Sequence, residues 1–419
     1  MRILFANHTG AWSGAEVSLM RVLAGVRADH EVCVACPRAG LLSDALAAAG
    51  VARRPLPEVG ASLRLHPLRT PLGLGQLAAG GVALARAARD FRADVIHANS
   101  PRAGILAAIA RALGGPAFVV RAHEHVPLTP VGRAVRALLV RSAGAIAAVS
   151  DYTAFKFNEG LERPVATRIY NSIDHARFDP SRVRPAALRD ELGLSPGAYL
   201  LGQVAQITPW KGQDTLIRAL PSLRSSGFDA HLVFVGHVAF GGPGVRYDNH
   251  AYRRDLAQLT EALGLEDSVH FLGQREDVPQ VVRALDLSLL PSWEEPFGLV
   301  TVESMALGIP PLVSSVGAGP ELVEDRATGR VLPPWLPEEW AKAAGELLCN
   351  PRERARMGAR GPAAAQRFRD ELQAAELLAV YRQLAGGAGP SSAGYGRGCG
   401  AAWYREGSIE ERLEAGWRS

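Results

Sequence analysis

Short apolar runs alternate with Ala- and Leu-rich stretches along almost the whole chain, and this alternation restricts the fold more than any other feature. In the first half RILFAN, HEVCVAC, DVIHAN, AFVVRAHE and AIAAVS read as strands. Between them AEVSLMRVLAGVRA, LLSDALAAAG, AGILAAIARALGG and VGRAVRALLVRS suit helices. In the second half YLLGQVAQI, HLVFVGH, VHFLG, DLSLLPS and PPLVSS are strand-like, while DTLIRALPSLRSS, AYRRDLAQLTEALG, VPQVVRAL and GLVTVESMALG are helix-like. Strand, helix, strand in succession implies a parallel sheet covered on both faces. With about 100–200 residues per domain, 419 residues leave room for two such sheets. The expected fold class is therefore α/β, with two doubly wound Rossmann-like domains. Side by side, they would face each other across a cleft lined by the carboxyl ends of their strands, where ligands bind in such sheets.

The expected organisation runs as follows. An N-terminal domain takes 1–175 and a connection takes 176–197, where Pro180, Pro185 and Pro196 leave space for one short helix. A C-terminal domain takes 198–368, and a closing helix 369–384. The remainder, 385–419, begins AGGAGPSSAGYGRGCG and reads as a flexible tail.

An apolar fraction of 47% and a charged fraction of 21% are ordinary for a globular chain. The opening MRILFANHTG reads as a strand instead of an export signal. No run approaches about 20 apolar residues, so no spanning segment is expected, and with the opening read as a strand a cytoplasmic location is the default expectation. Cys33 and Cys36 form a CxxC inside a strand, where an i,i+3 pair points to opposite faces. Both are expected to be buried, with neither a metal nor a disulfide. Charge is uneven: residues 1–177 hold 21 basic against 12 acidic side chains (+9), the rest 25 against 30 (−5). A basic N-terminal half suits an anionic membrane surface or a phosphorylated acceptor, and equally a plain solvated surface. Arg133 and Arg136 share a helix face that could lie peripherally on the inner face of the membrane, or simply meet water. No nucleic-acid partner is expected.

Two stretches of the second half carry chemistry. In WEEPFGLVTVESMALG a strand ends, Pro296 turns, and a helix begins near Gly298. Its first turn offers unpaired amides and the positive end of a dipole, which suits phosphate. Glu295 precedes that helix and Glu303 lies within it; both can accept bonds from sugar hydroxyls, or serve as a cap and a solvated side chain. In VAQITPWKGQDTLIRAL a strand gives way to a loop with Lys211 at its tip. Only Lys156, Lys211 and Lys342 are lysines among 46 basic residues, and an ammonium at a loop tip can neutralise a diphosphate leaving group.

These stretches together resemble the donor site of the retaining family 4 glycosyltransferases, which have the GT-B fold. The resemblance runs from about Met1 to Leu384 and is densest from Leu201 to Pro334, with FLGQREDVP, EEPFGLVTVE and GPELVEDRATGRVLPP in the family's order. It implies that Glu295 contacts the donor sugar, Glu303 the nucleotide ribose, and Lys211 the diphosphate. Arg275 would stand where the main chain meets the base, and Phe297, Gly298 and Leu299 would offer amides beside sugar and phosphate. One departure stands out: Gln206 occupies the place of a customary Arg. The lost charge-assisted contact is worth roughly 1.5–3 kcal/mol.

In the first half SGAE resembles the family's glycine-rich first loop, where Gly14 would let the backbone approach the donor phosphate or the acceptor; a tight turn explains it as well. His8, His97 and His123-Glu124-His125 follow or end strands, and together they suggest a polar pocket at one sheet edge. By the resemblance His123 lies beside the reacting anomeric centre. His123 and His125 also read as a metal pair, but the sequence has no Asp-x-Asp, and no metal or cofactor is expected. The implied activity is transfer of a sugar from a nucleoside diphosphate sugar to a hydroxyl of a glycan, lipid-linked or small-molecule acceptor, with retention. The alternatives are a non-catalytic nucleotide-sugar-binding protein and a nucleotide-sugar epimerase. A phosphorylase would usually need a late lysine, and none follows Lys342.

Overall fold

The computed structural model describes residues 1–60, 69–238 and 247–387, which fall into two compact units. Among the described residues unit one takes Met1–Asp174 and the chain from Phe368 to Gly387, and unit two takes His175–Arg367.

Unit one is built on β1 (Arg2–Ala6), β2 (Glu31–Cys36), β3 (Ala52–Pro55), β4 (Val95–Ala98), β5 (Phe118–Ala122), β6 (Ala145–Ala148) and β7 (Ala166–Arg168). They pair in the order β3-β2-β1-β4-β5-β6-β7, every pair parallel. The central strands are buried on both faces, as their unbroken apolar runs require. Leu4, Ala6, Cys33 and Ala35 enter one core; Ile3, Phe5, Val34 and Cys36 enter the other. Cys33 and Cys36 are thus buried, unbridged and on opposite faces.

Unit two repeats the plan with β8 (Tyr199–Val204), β9 (Ala230–Val235), β10 (Val269–Gly273), β11 (Leu287–Leu290), β12 (Pro311–Ser314) and β13 (Arg330–Leu332). Their order is β10-β9-β8-β11-β12-β13, again parallel throughout. In each sheet the order reverses once, between β1 and β4 and between β8 and β11. Helices leave to opposite faces there, so a crevice opens beyond the strand ends.

Three features differ from the sequence expectation. The segment 176–197 is packed into unit two: the helix Leu188–Glu191 sits there, and Arg189 donates to Asp286 Oδ2 at 2.7 Å and to Ala198 O at 2.9 Å. The late helix, Asp370–Ala385, belongs to unit one, where Ala374, Leu377, Tyr381 and Leu384 join Ile3 and Phe5 in the core. A further helix, Arg69–Phe91, was masked in the sequence by its glycines. Arg21 ties the exit from unit one to the return, bonding Asp174 at 2.7 Å and also Asp370. The expected flexible tail lies outside the described residues beyond Gly387.

Candidate active site

The sequence after β8 folds into a single 3-10 turn, Pro209–Lys211, because Pro209 presets the first dihedral and Gly212 closes the turn at φ 66°. A Cβ on residue 212 would lie 2.4 Å from Pro291 O, so only glycine fits both the dihedral and the space. Two buried amides hold the loop from beneath. Gln203 Nε2 donates to Lys211 O at 2.8 Å, and Gln213 Nε2 to Gln206 O at 3.0 Å. Trp293 N donates to Trp210 O at 2.8 Å and so joins this loop to the one after β11.

That second loop carries Glu295, 6% exposed. Its Oε2 lies 2.5 Å from Lys211 Nζ and accepts from Ser292 Oγ at 2.9 Å. The ammonium also stands 4.1 Å from the centre of the Trp210 ring. The two loops belong to β8 and β11, the strands flanking the reversal of order, so the ion pair sits at the switch point of unit two.

Gly298, at φ 91°, caps the helix Leu299–Ala306 without a side-chain capping hydrogen bond. Thr301 N donates to Gly298 O at 3.0 Å, while the amides of Leu299 and Val300 lack intrahelical acceptors by helix geometry and suit an anion. Phe297 just before them is buried at 3% exposed. Glu303 lies one turn into the helix, half-buried, and burial pushes its carboxyl up to about 7 while Arg177 pulls it down.

Arg275 is engaged at its side chain: it donates to Glu191 Oε2 at 2.8 Å and to Asp277 Oδ1 and Oδ2 at 2.8 and 2.7 Å. The two carboxylates hold its guanidinium above its ordinary range. Gln206 is half-buried at the end of the same loop as Lys211. The structure therefore gathers Lys211, Glu295, Gly298 and Leu299 around one switch point. Gln203 and Gln213, which hold the lysine loop, were not singled out in the sequence, although a polar side chain inside the apolar run YLLGQVAQI is a visible signal.

In unit one Gly14 is the first helical residue of Gly14–Val26, after an N-cap at Ser13. Ser13 and Glu16 form a capping box, so SGAE serves first as a helix start. The histidines divide. His97 lies within β4, fully buried, with Nδ1 2.6 Å from Tyr381 OH, so it is a core residue and not part of an edge pocket. His8 is half-buried with Nδ1 3.0 Å from Ser100 Oγ. His123 follows β5, half-buried, with Nε2 3.1 Å from Asn99 Oδ1. Burial, then Arg121 and His97, hold its imidazole well below the usual range. Among the described residues no three His, Cys, Asp or Glu side chains gather as metal ligands. Arg136 is buried and donates to Phe157 O and Glu159 O at the end of the neighbouring helix, leaving Arg133 exposed, so the pair forms no basic face. No helix of the described residues is long and apolar enough to cross a membrane.

A family model described as Glycosyl transferases group 1 matches residues 186–364, and one described as Glycosyltransferase Family 4 matches residues 12–177. A D-inositol 3-phosphate glycosyltransferase of Saccharomonospora viridis is 31% identical over 309 residues, 69% of this chain and 70% of that protein. Its namesake in Segniliparus rotundus is 35% identical over 219 residues, 52% of this chain and 46% of that one. The chain spans about half the length of several curated relatives it matches. Among solved structures, HepE of Anabaena in complex with UDP and glucose gives a TM-score of 0.78 at 26% identity, over 92% of this chain and 100% of that one. The same protein with UDP-glucose gives 0.76 at 27% identity, over 90% and 99%.

Proposed function

The chain belongs to the group 1 glycosyltransferases of family 4, with two Rossmann-like domains of the GT-B type, and from that premise we propose that it transfers a sugar from a UDP-sugar to a hydroxyl acceptor with retention. The observation that carries the reading is the Lys211–Glu295 pair at the switch point of unit two, beside the open start of the helix that bears Glu303. The choice of uridine and of glucose as the first sugar to test rests on the ligands of the Anabaena protein.

Each residue then has a task. Lys211 and the amides of Gly298 and Leu299 neutralise the diphosphate as the glycosidic bond breaks, a charge-stabilising role in a preorganised site. Phe297 shapes the wall beside them. Glu295 keeps the ammonium compensated until the donor arrives; then its carboxylate accepts from sugar hydroxyls, with Ser292 holding it in place. Glu303 accepts from the ribose hydroxyls, and the Arg275 main chain meets the base. Gln206 donates one neutral hydrogen bond where a second cation would otherwise stand. The departing phosphate oxygen takes the acceptor's proton, so no protein nucleophile and no metal are required. His123 and the Gly14 turn, both in unit one, attend the sugar and acceptor in this reading, and the acceptor is a glycan, lipid-linked or small-molecule hydroxyl. A cytoplasmic location suits a nucleotide-sugar donor.

The test follows UDP release and product configuration by NMR, using UDP-glucose with and without sugar and inositol acceptors. An α-linked product, formed equally in EDTA, is expected. A β-linked product would overturn retention; binding without turnover would leave a donor-binding protein.

A further inference from the structure

His123 ends a chain of buried amides that reaches back to the cap of the first helix. Glu16 Oε2 accepts from Ser13 N at 2.9 Å and Ser13 Oγ at 2.6 Å, which fixes the carboxylate. Asn7 Nδ2 then donates to Glu16 Oε1 at 3.1 Å and to Thr9 O at 2.8 Å. A carbonyl and a carboxylate only accept, so this end of Asn7 must be its NH2 and the other end its oxygen. That oxygen accepts from Asn99 Nδ2 at 3.0 Å, and the same Nδ2 donates to Ala15 O at 3.3 Å. Turning the Asn99 amide over would set its oxygen against two others. Its oxygen must therefore face His123, and only an N–H can meet it there.

Each link fixes the next. The neutral ring, which burial and the Arg121 charge favour, has one hydrogen, and the chain assigns it to Nε2. Nδ1 is then left with its lone pair, and no partner of it is recorded among the described residues. Asn7, Asn99 and Glu16 are each 3% exposed or less, so the chain desolvates a carboxylate and two amides. An apolar trio would fill that space without the desolvation. The chain ends at a half-buried imidazole, which points to a task at the ring.

We infer that Glu16, Asn7 and Asn99 are positioning residues that hold His123 as its Nε2–H tautomer, so that Nδ1 accepts a hydrogen bond from a sugar hydroxyl. The chain of bonds places the N–H at Nε2, and the neutral state favoured by burial and Arg121 leaves Nδ1 bare; the identity of the hydroxyl rests on the proposed transferase activity. SGAE therefore acts as more than a helix start: its carboxylate sets the polarity of a ring that lies 107 positions further along.

The test begins with two-bond proton–nitrogen NMR of the full chain labelled with 15N-histidine, His123 being assigned by loss of its signals in His123→Gln. The expected pattern is Nε2–H with an unprotonated Nδ1, giving way in Asn99→Leu to a mixture of tautomers. An Nδ1–H or doubly protonated ring in the unsubstituted protein would overturn the inference. Turnover of UDP-glucose supplies the second readout. Asn99→Leu should lower kcat about tenfold with the donor KM unchanged, the size of one lost hydrogen bond. His123→Asn, whose amide oxygen can stand where Nδ1 stood, should stay more active than His123→Gln, which can reproduce only the bond to Asn99. The reverse order would contradict the acceptor role of Nδ1. Should the unsubstituted protein not turn over UDP-glucose, the transferase reading fails on its own, and the spectrum still decides the tautomer.

Discussion

At position 303 a carboxyl is half-buried one turn into a helix, and burial raises it from the usual 4.5 to about 7. A raised carboxyl contributes stability that is complete below about 4.5 and is lost as pH rises through about 7, because the folded state then holds an ionised group it solvates poorly. The melting temperature of the unsubstituted protein should therefore fall relative to Glu303→Gln as pH is raised from about 5 to 8. A difference that stays constant across that range would contradict the assigned environment. The same titration should strengthen donor binding, since only the ionised form is a full acceptor for ribose hydroxyls. Residues of this kind were readable in the sequence because family spacing places them: Lys211, Glu295 and Glu303 stand in fixed order around turn-forming residues. Asn7 and Asn99 were not readable, because an amide at a strand end looks like any turn former; Gln203 was visible only as a polar break in an apolar run. Only the packed structure shows what it faces. His97 misled for the opposite reason. Its place at the end of an apolar run resembled that of His8 and His123, while the tyrosine that buries it comes from the far end of the chain.

Among the elements, the 3-10 turn Pro209–Lys211 sets the position of the ammonium, and Gly212 sets the turn. Gly212→Ala would strain a left-handed backbone by about 1–2 kcal/mol. It would also press a methyl group against Pro291 O, displacing the loop that presents Lys211 to Glu295. UDP-glucose affinity, measured calorimetrically, should drop about tenfold or more; an unchanged Kd in the folded variant would show that the turn does not place the ammonium. The inner strands were legible because strands buried on both faces are continuous apolar runs. The edge strands β3 (ARRP), β7 (ATR) and β13 (RVL) were not: they are three or four residues long and each carries Arg, and their strand character comes from a neighbour's hydrogen bonds.

On the scale of the whole molecule, the chain leaves unit one at Asp174 and returns at Phe368, a crossing that no local pattern announces. The returning helix fills the unit-one core with Tyr381, which is fully buried and bonded to His97. Tyr381→Ala should destabilise unit one by about 3–5 kcal/mol, seen as an early step in chemical denaturation. UDP binding, assigned to unit two, should survive that substitution in the folded protein. Loss of UDP binding with unit two still folded would contradict the assignment of the donor site to that unit. Two domains of parallel sheet were expected from alternation alone; that the last helix completes the first domain was not, because nothing in its amphipathic pattern says which core it joins.

The central claim is that the switch point of unit two binds the donor through Lys211 and Glu303. Isothermal titration of UDP-glucose into the unsubstituted protein, Lys211→Ala and Glu303→Ala tests it most directly. The account predicts saturable binding that weakens at least about tenfold in both variants, the scale of one lost charge-assisted contact. Equal affinity in all three proteins would contradict it.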